Sequence, residues 1–399
     1  MQNSVQNQVM NNTSKFNIVV LGVSCFDGMA SSIRVRNLLE TSALKGSVTL
    51  NNLIYKVDAH GLHQKKGIQN GITFLVISAS SVFSVFSLTW QGVRFLKRNK
   101  SNTSKNIIYN YQYIDIKNVL LLLYGRAIGY KIILDIVEDN ALYTKFAGLK
   151  NRLKITSSLW LLKLSPRIAH HIITISQYLN KMMLEVCKEK IPVSLIPITV
   201  NLNRFSVSEF TTPEVFKIFY GGSFGAKDGM KYLIKAFGKL NEKYDNISLV
   251  MTGRASEDDL NKFQEYLGES TAKKKIDHKG FLNDDMYYKI LNECHIFCMT
   301  RVNSKFANAG FPFKLGEFLA TGKAVIATDV GDVTHYLENQ KNAIVISPES
   351  VSELTAALTY LLENPNEIER IGKKGREVAQ KNFDTHYWSE KLQDIFSQI

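Results

Sequence analysis

Asn303-Ser-Lys-Phe-Ala-Asn-Ala-Gly310-Phe-Pro-Phe-Lys-Leu-Gly-Glu317-Phe-Leu-Ala-Thr-Gly322-Lys-Ala-Val-Ile-Ala-Thr-Asp-Val-Gly331 is the stretch whose reading decides the fold. It reads as loop, short helix, buried strand, loop. Pro312 suits the first turn of a helix, where its missing N–H is not needed, and Gly322 suits the left-handed position that closes one. The helix between them is expected to run three turns. Leu315, Phe318 and Leu319 fall at core spacing on it, whereas Lys314, Glu317 and Thr321 share the other face, free to bind. Its unpaired N–H groups, preceded by a flexible Ala309-Gly310, suit an anion held against Lys314.

The run from Gly310 to Thr328 resembles the donor-binding signature of retaining glycosyltransferases of the GT-B fold, family-four group. The resemblance implies an α/β chain of two Rossmann-like domains facing across a cleft. Residues 1–205 would be the acceptor-side domain and 206–380 the nucleotide-sugar domain, with 381–399 a helix crossing back to the first. It also implies that Glu317 holds the ribose of a nucleotide sugar. Gly310, Phe311, Phe313, Lys314 and Leu315 would then surround its diphosphate. Many relatives carry a further glutamate eight positions before the first, where this chain has Ala309. Donor-sugar recognition is therefore expected to differ here, although the subgroup with Phe-Pro-x-Lys also lacks that glutamate.

Further towards the N-terminus, Phe16-Asn-Ile-Val-Val-Leu-Gly22 reads as a buried strand, followed by a small-residue loop containing Gly28 and a helix with Arg34 and Arg36. Such a strand-to-helix loop is where α/β sheets bind ligands. By position it resembles the first-domain loop that closes over donor phosphates and acceptor, which makes Gly22 and Gly28 donor-loop candidates. Ile107–Tyr113 and Lys131–Asp135 are expected to be further strands. The second ends in Ile-Val-Glu138-Asp139, and acids at a strand end are costly unless solvated, paired or used. The resemblance makes Glu138 and Asp139 catalytic candidates facing acceptor and donor sugar. His170 and His171 point to opposite faces of their strand and make no metal pair unaided. Ile196–Phe205 resembles the interdomain segment.

Phe216–Gly222 opens the second half as a strand, and Ser223-Phe-Gly-Ala-Lys227-Asp-Gly229 follows. Glycines let backbone N–H groups approach an anion and Lys227 adds full charge, so this turn is a second phosphate cradle. The family commonly has an arginine near 221–223 as well, which is missing; Lys314 or Arg254 is the expected substitute. Three more strands end at Arg254, Phe281 and Arg301, and the resemblance places Phe281 at the nucleobase.

The chain has 399 residues, 45% of them hydrophobic and 21% charged, with a formal net charge of +13. That length suits two domains. The four cysteines make no Cys-x-x-Cys pair and are expected to be buried thiols, which favours the cytoplasm. The polar, Asn/Gln-rich first fifteen residues lack the pattern of a secretory signal. Gly71 to Trp90 is mostly apolar and uncharged; a membrane span is weighed there and a buried strand and helix preferred. No nucleic-acid motif accompanies the positive charge. Lys145, Lys150, Arg152, Lys154, Lys163 and Arg167 instead surround Ile155 and Leu159-Trp160-Leu161-Leu162, a pattern suited either to an anionic membrane surface or to a core helix with a solvated basic face.

The expected function is transfer of a sugar, with retention, from a UDP- or GDP-linked donor to a glycan or lipid-linked acceptor, in bacterial surface polysaccharide or glycoconjugate synthesis. Lys227, Glu317, Glu138 and Asp139 are the catalytic candidates, and Gly22, Gly28, Ser223, Arg254, Phe281, Gly310, Phe311, Phe313, Lys314, Leu315 and Glu317 the donor-binding ones. No Asp-x-Asp occurs, and neither metal nor cofactor is expected. The alternatives are a nucleotide-sugar epimerase of the same fold and a non-catalytic partner subunit at the membrane.

Overall fold

In the computed structural model the described residues are 15–399 without 45, 56–64, 78–83, 117, 140–141, 143–148 and 207–210. The strands are β1 Phe16–Leu21, β2 Val48–Ile54, β3 Lys66–Gln69, β4 Ile72–Val76, β5 Lys105–Tyr111, β6 Lys131–Ile136, β7 His171–Thr174 and β8 Val193–Leu195, then β9 Phe216–Gly221, β10 Ile247–Thr252, β11 Ile276–Gly280, β12 Ile296–Met299, β13 Ala324–Thr328 and β14 Ile344–Ile346. They form two sheets, ordered β3-β4-β2-β1-β5-β6-β7-β8 and β11-β10-β9-β12-β13-β14. The second is parallel throughout. In the first, β3 is antiparallel to β4.

Hydrophobicity explains this arrangement. β1, β6 and β13 are near-continuous apolar runs buried along almost their whole length, as parallel strands covered on both faces must be. In the second sheet, Ile218, Leu249, Cys298 and Ile326 pack with Leu233, Ile234, Phe237 and Leu240 of helix Met230–Asn241 and with Leu354, Leu358 and Leu361 of helix Val351–Glu363. The Gly71–Trp90 stretch divides into β4 and the start of helix Ser84–Arg98. Among the described residues no helix is long and apolar enough to cross a membrane.

Two compact units emerge. The first comprises Met1–Leu134, Arg167–His171 and Ser389–Ile399; the second comprises Asp135–Pro166 and Ile172–Trp388. In the first unit the chain's last residues pack on β1 and helix Ala30–Leu44: Phe396 meets Phe16 edge-on at 5.4 Å, and Ser389 Oγ donates to the Leu38 carbonyl at 3.0 Å. In the second, the segment 200–205 is tied in by the Val200–Asp384 bridge and by Arg376 donating to the Phe205 carbonyl.

Two expectations about the deciding stretch are corrected. Residues Lys305–Ala309 are helical, capped by Ser304, rather than a flexible loop. The following helix is Lys314–Ala320, seven residues or about two turns, with Pro312 ahead of its cap. Gly322 does close it, at φ +72°.

All four cysteines are free and buried, and burial pushes the thiols of Cys25, Cys294 and Cys298 well up. Lys145 and the side chains of Lys150, Arg152, Lys154 and Ile155 lie outside the described residues. Of the neighbouring apolar run, Leu161 and Leu162 turn inward and Trp160 is 65% exposed.

Candidate functional site

The glycine-rich turn after β9 is shaped by close backbone approaches. A Cβ at Gly253 would lie 1.7 Å from the Gly222 carbonyl oxygen, and one at Gly229 would lie 1.9 Å from that of Thr300. Only glycine fits, and both positions have positive φ. Asp228 braces the turn by accepting from the Ser223 backbone N–H at 2.8 Å and from its hydroxyl at 2.7 Å. Val302 N–H and the Thr300 hydroxyl bond the carbonyls of Lys227 and Asp228, which fixes the turn to the end of β12.

Charge gathers around this turn. Lys227 Nζ lies 3.6 Å from Glu138 Oε1 and 4.8 Å from the centre of the Phe306 ring. Lys314 Nζ reaches to 2.9 Å of where a Gly221 Cβ would sit and stands 4.8 Å from the Tyr287 ring centre. Burial lowers the Lys314 pKa, opposed by Glu317 and Asp228. Arg301 donates to the Ala307 carbonyl at 3.1 Å. Burial lowers its pKa too, and Asp228, Glu138 and Tyr220 raise it. The Tyr220 hydroxyl is buried beneath the turn without a hydrogen-bond partner among the described residues; a Cβ at Gly222 would lie 2.5 Å from it.

Glu317 departs from the expectation of an open binding face. Its side chain is buried, as is Thr321, so the helix is covered on both sides. The cover over Glu317 is a pair of tyrosines from helix Asp284–Glu293: Tyr287 donates to one carboxylate oxygen at 2.9 Å and Tyr288 to the other at 3.1 Å. Burial raises the carboxyl pKa, while Lys314 and the two tyrosine hydrogen bonds pull it down. Tyr288 is held in turn by the Arg204 guanidinium, 4.8 Å from its ring centre, and by Phe205 edge-on at 5.4 Å. Arg204 pairs with Asp284 at 3.2 Å. A chain of contacts thus runs from Arg204 to the Glu317 carboxylate.

Of the sequence candidates, the fold brings Lys227 to Glu138 and sets Ser223 on the same turn, with Lys314 reaching to Gly221. Asp139 is buried and accepts from the Tyr178 hydroxyl at 3.0 Å. Arg254 does not supply the missing guanidinium at the turn: it stacks on Phe281, 4.2 Å from the ring centre, and that ring is 43% exposed. The side chains of Phe311 and Leu315 are fully buried, with Phe311 packed against Tyr336 and Phe383, which leaves their backbone as the part that can meet a ligand. Their side chains offer a ligand nothing. Gly310 and Phe313 keep partial exposure. Ala309 is fully buried, and its carbonyl accepts from the Ser176 hydroxyl at 2.6 Å. In the first unit, Gly22 and Gly28 have φ of +83° and +65°, and a Gly22 Cβ would lie 2.6 Å from the Tyr111 carbonyl oxygen, so the turn itself favours glycine at both.

Sequence reasoning missed Arg301 and the two tyrosines. Arg301 closes a strand and carried the only signal, a basic residue at a carboxyl edge. Among the described residues no cluster of His, Cys, Asp and Glu could hold a metal ion.

Residues 204–378 match the family described as glycosyl transferases group 1. Sucrose-phosphate synthase from Thermosynechococcus elongatus superposes with a TM-score of 0.74 over 96% of this chain and 98% of that one, at 16% identity. Anabaena HepE in complex with UDP-glucose superposes with a TM-score of 0.72 over 96% and 100%, at 14% identity. The chain has the GT-B fold. Within it, the stretch that matches the group 1 family, residues 204–378, contains Lys227, Arg301, Lys314 and Glu317. A curated relative, the MMP alpha-(1->4)-mannosyltransferase of Mycolicibacterium hassiacum, is 25% identical over 156 residues, 39% of this GT-B chain and 36% of that protein. The chain thus matches little more than a third of that relative's length.

Proposed function

We propose that the protein transfers a sugar from a UDP- or GDP-linked donor to a glycan or lipid-linked acceptor, with retention of anomeric configuration. The observation that carries this reading is the gathering of Lys227, Lys314 and Arg301 around one glycine-rich turn within residues 204–378. When the bond between the anomeric carbon and the diphosphate oxygen breaks, negative charge develops on the leaving nucleoside diphosphate. Fixed cations and backbone N–H groups stabilise that charge more than they stabilise the intact donor. Lysine and arginine, rather than a metal ion, are assigned this task.

Glu317 suits a ribose. A carboxylate offers about four acceptor sites, and the tyrosines take two, leaving capacity for a ribose hydroxyl pair. The mannosyltransferase name of the relative and the UDP-glucose complex of the Anabaena protein support a nucleotide-sugar donor. Arg254 and the exposed ring of Phe281 form a platform suited to a base. Buried Ala309 in place of a second glutamate leaves the donor sugar to be recognised by other groups. The family resemblance supports a role in bacterial surface polysaccharide or glycoconjugate synthesis, and the buried free thiols favour the cytoplasm.

The test is a nucleotide-release assay with UDP- and GDP-sugars, with and without oligosaccharide and lipid-linked acceptors. Release of nucleoside diphosphate that depends on acceptor is expected. Conversion of donor to its epimer without acceptor would replace this reading with an epimerase. Binding of no nucleotide would replace it with a non-catalytic subunit.

A further inference from the structure

We propose that the first unit docks on an anionic lipid surface through the outer face of helices Ser84–Arg98 and Val119–Ala127. A Cβ at Gly92 would lie 3.0 Å from Leu121 Cδ2, and one at Gly125 would lie 3.5 Å from Leu96 Cδ1. These contacts are one turn apart on each helix and advance together, so the helices lie side by side and run the same way. Their inner faces bury Leu88, Phe95 and Leu96 on one and Leu121 and Leu122 on the other.

The outer faces carry large apolar side chains that are exposed among the described residues. Phe86 is 76% exposed and Trp90 59%; Leu120 is 50% exposed and Leu123 45%, with Ile116, one turn ahead, at 55%. The spacing puts Phe86, Trp90 and Arg94 on one stripe and Leu120 and Leu123 on the other, and the parallel packing sets the two stripes level. Single exposed hydrophobes need no explanation, but four on adjoining helix faces mark an interaction surface.

Charge decides the occupant. Neither helix contains an acidic residue. Arg94 lies over the Trp90 ring at 4.6 Å, and Lys97 and Arg98 follow towards the C-terminal end, both exposed, whereas Arg126 turns away to the Ile168 carbonyl at 3.0 Å. The nearest acid, Asp115, is only partly exposed, and its Oδ1 accepts from the Asn118 N–H at 2.9 Å. A second copy packed on this face about a two-fold axis would bring basic rim to basic rim. An anionic leaflet instead meets an apolar patch with a tryptophan and a one-sign rim, the pattern of interfacial helices. The site differs from the 145–167 segment singled out by the sequence, where Leu161 and Leu162 turn inward.

The test is co-sedimentation of the full chain with phosphatidylcholine vesicles with and without phosphatidylglycerol. Binding to the anionic vesicles is expected, weakened by salt. The double variant Phe86→Ser/Trp90→Ser should lose binding by tenfold or more, and Lys97→Gln/Arg98→Gln by about thirtyfold, at roughly fivefold per charge. Trp160→Ser should bind like wild type. Unchanged circular dichroism and melting temperature show that the variants fold. No binding to anionic vesicles, binding unaffected by the Phe86/Trp90 variant, or a dimer in sedimentation that this variant dissolves would each overturn the proposal.

Discussion

Two loops occupy the same place in the two sheets, one after β1 and one after β9. Each leaves a buried parallel strand, turns through glycine at positive φ and enters a helix. Each is also braced by an aspartate: Asp27 accepts from the Met29 N–H and the Ser32 hydroxyl, and Asp228 from both donors of Ser223. The difference lies in charge. Residues 22–32 contain no lysine or arginine, whereas the turn at 221–229 holds Lys227, is reached by Lys314 and lies near Arg301 through their shared partners Asp228 and Glu138. The topology provides a loop; cations from three separate elements gather at one of the two, which suits that one to an anion.

The largest expected effect breaks this asymmetry. Lys227→Ala and Glu317→Ala should each lower turnover by on the order of a hundredfold, the usual size for removing one group that meets developing charge or fixes the donor. Asp27→Asn, at the braced loop that lacks cations, should change turnover by less than tenfold. Steady-state kinetics of nucleotide release make the comparison. Equal losses at both loops would mean that charge is not what separates them.

Much of this fold was legible in the residues. The apolar runs at Phe16–Leu21, Phe216–Gly221 and Ala324–Thr328 fall where the strands are, because burial on both faces leaves few other sequences available. The pairing of Lys227 with Glu138 was not legible, since 89 positions separate two charges that only tertiary structure brings to 3.6 Å. Nor was the cover over Glu317: Tyr287 and Tyr288 are adjacent on one helix, and periodicity alone does not say that both hydroxyls reach the same carboxylate. The burial of the Phe311 and Leu315 side chains was not legible either, because a resemblance assigns a neighbourhood, and within it burial decides which side chains a ligand can reach. The apolar stretch ending at Trp90 showed hydrophobicity without showing which side of its helix faces out.

A smaller effect is shared by the two units. His170 in the first and His295 in the second each accept a backbone N–H on Nδ1, from Ile132 and Lys217, both at 3.0 Å. Burial, aided by neighbouring cations, lowers both pKa values from 6.5 to about 4. His171 is lowered to about 4 by burial alone. Between these values the unfolded chain binds more protons than the folded one, so stability falls as pH drops from 6.5 towards 4. Glu317, with its pKa raised, has the opposite sign and loses stability as pH rises through its folded value. Urea unfolding at pH 7 and pH 5 should show the lower midpoint at pH 5, with the drop reduced in His295→Gln. An equal drop in that variant would remove the histidine from the explanation.

The central claim is that the charged turn at 221–229, with Glu317 linked to it through Lys314, is a nucleotide site. Its most direct test is the thermal unfolding shift of wild type, Lys227→Ala and Glu317→Ala with UDP, GDP and their sugar conjugates. A ligand at a hundred times its dissociation constant adds about 2.7 kcal/mol, enough to read as a clear upward shift. The account predicts a shift with one nucleotide family in wild type, diminished in both variants. No shift with any nucleotide, or an equal shift in all three proteins, would contradict it.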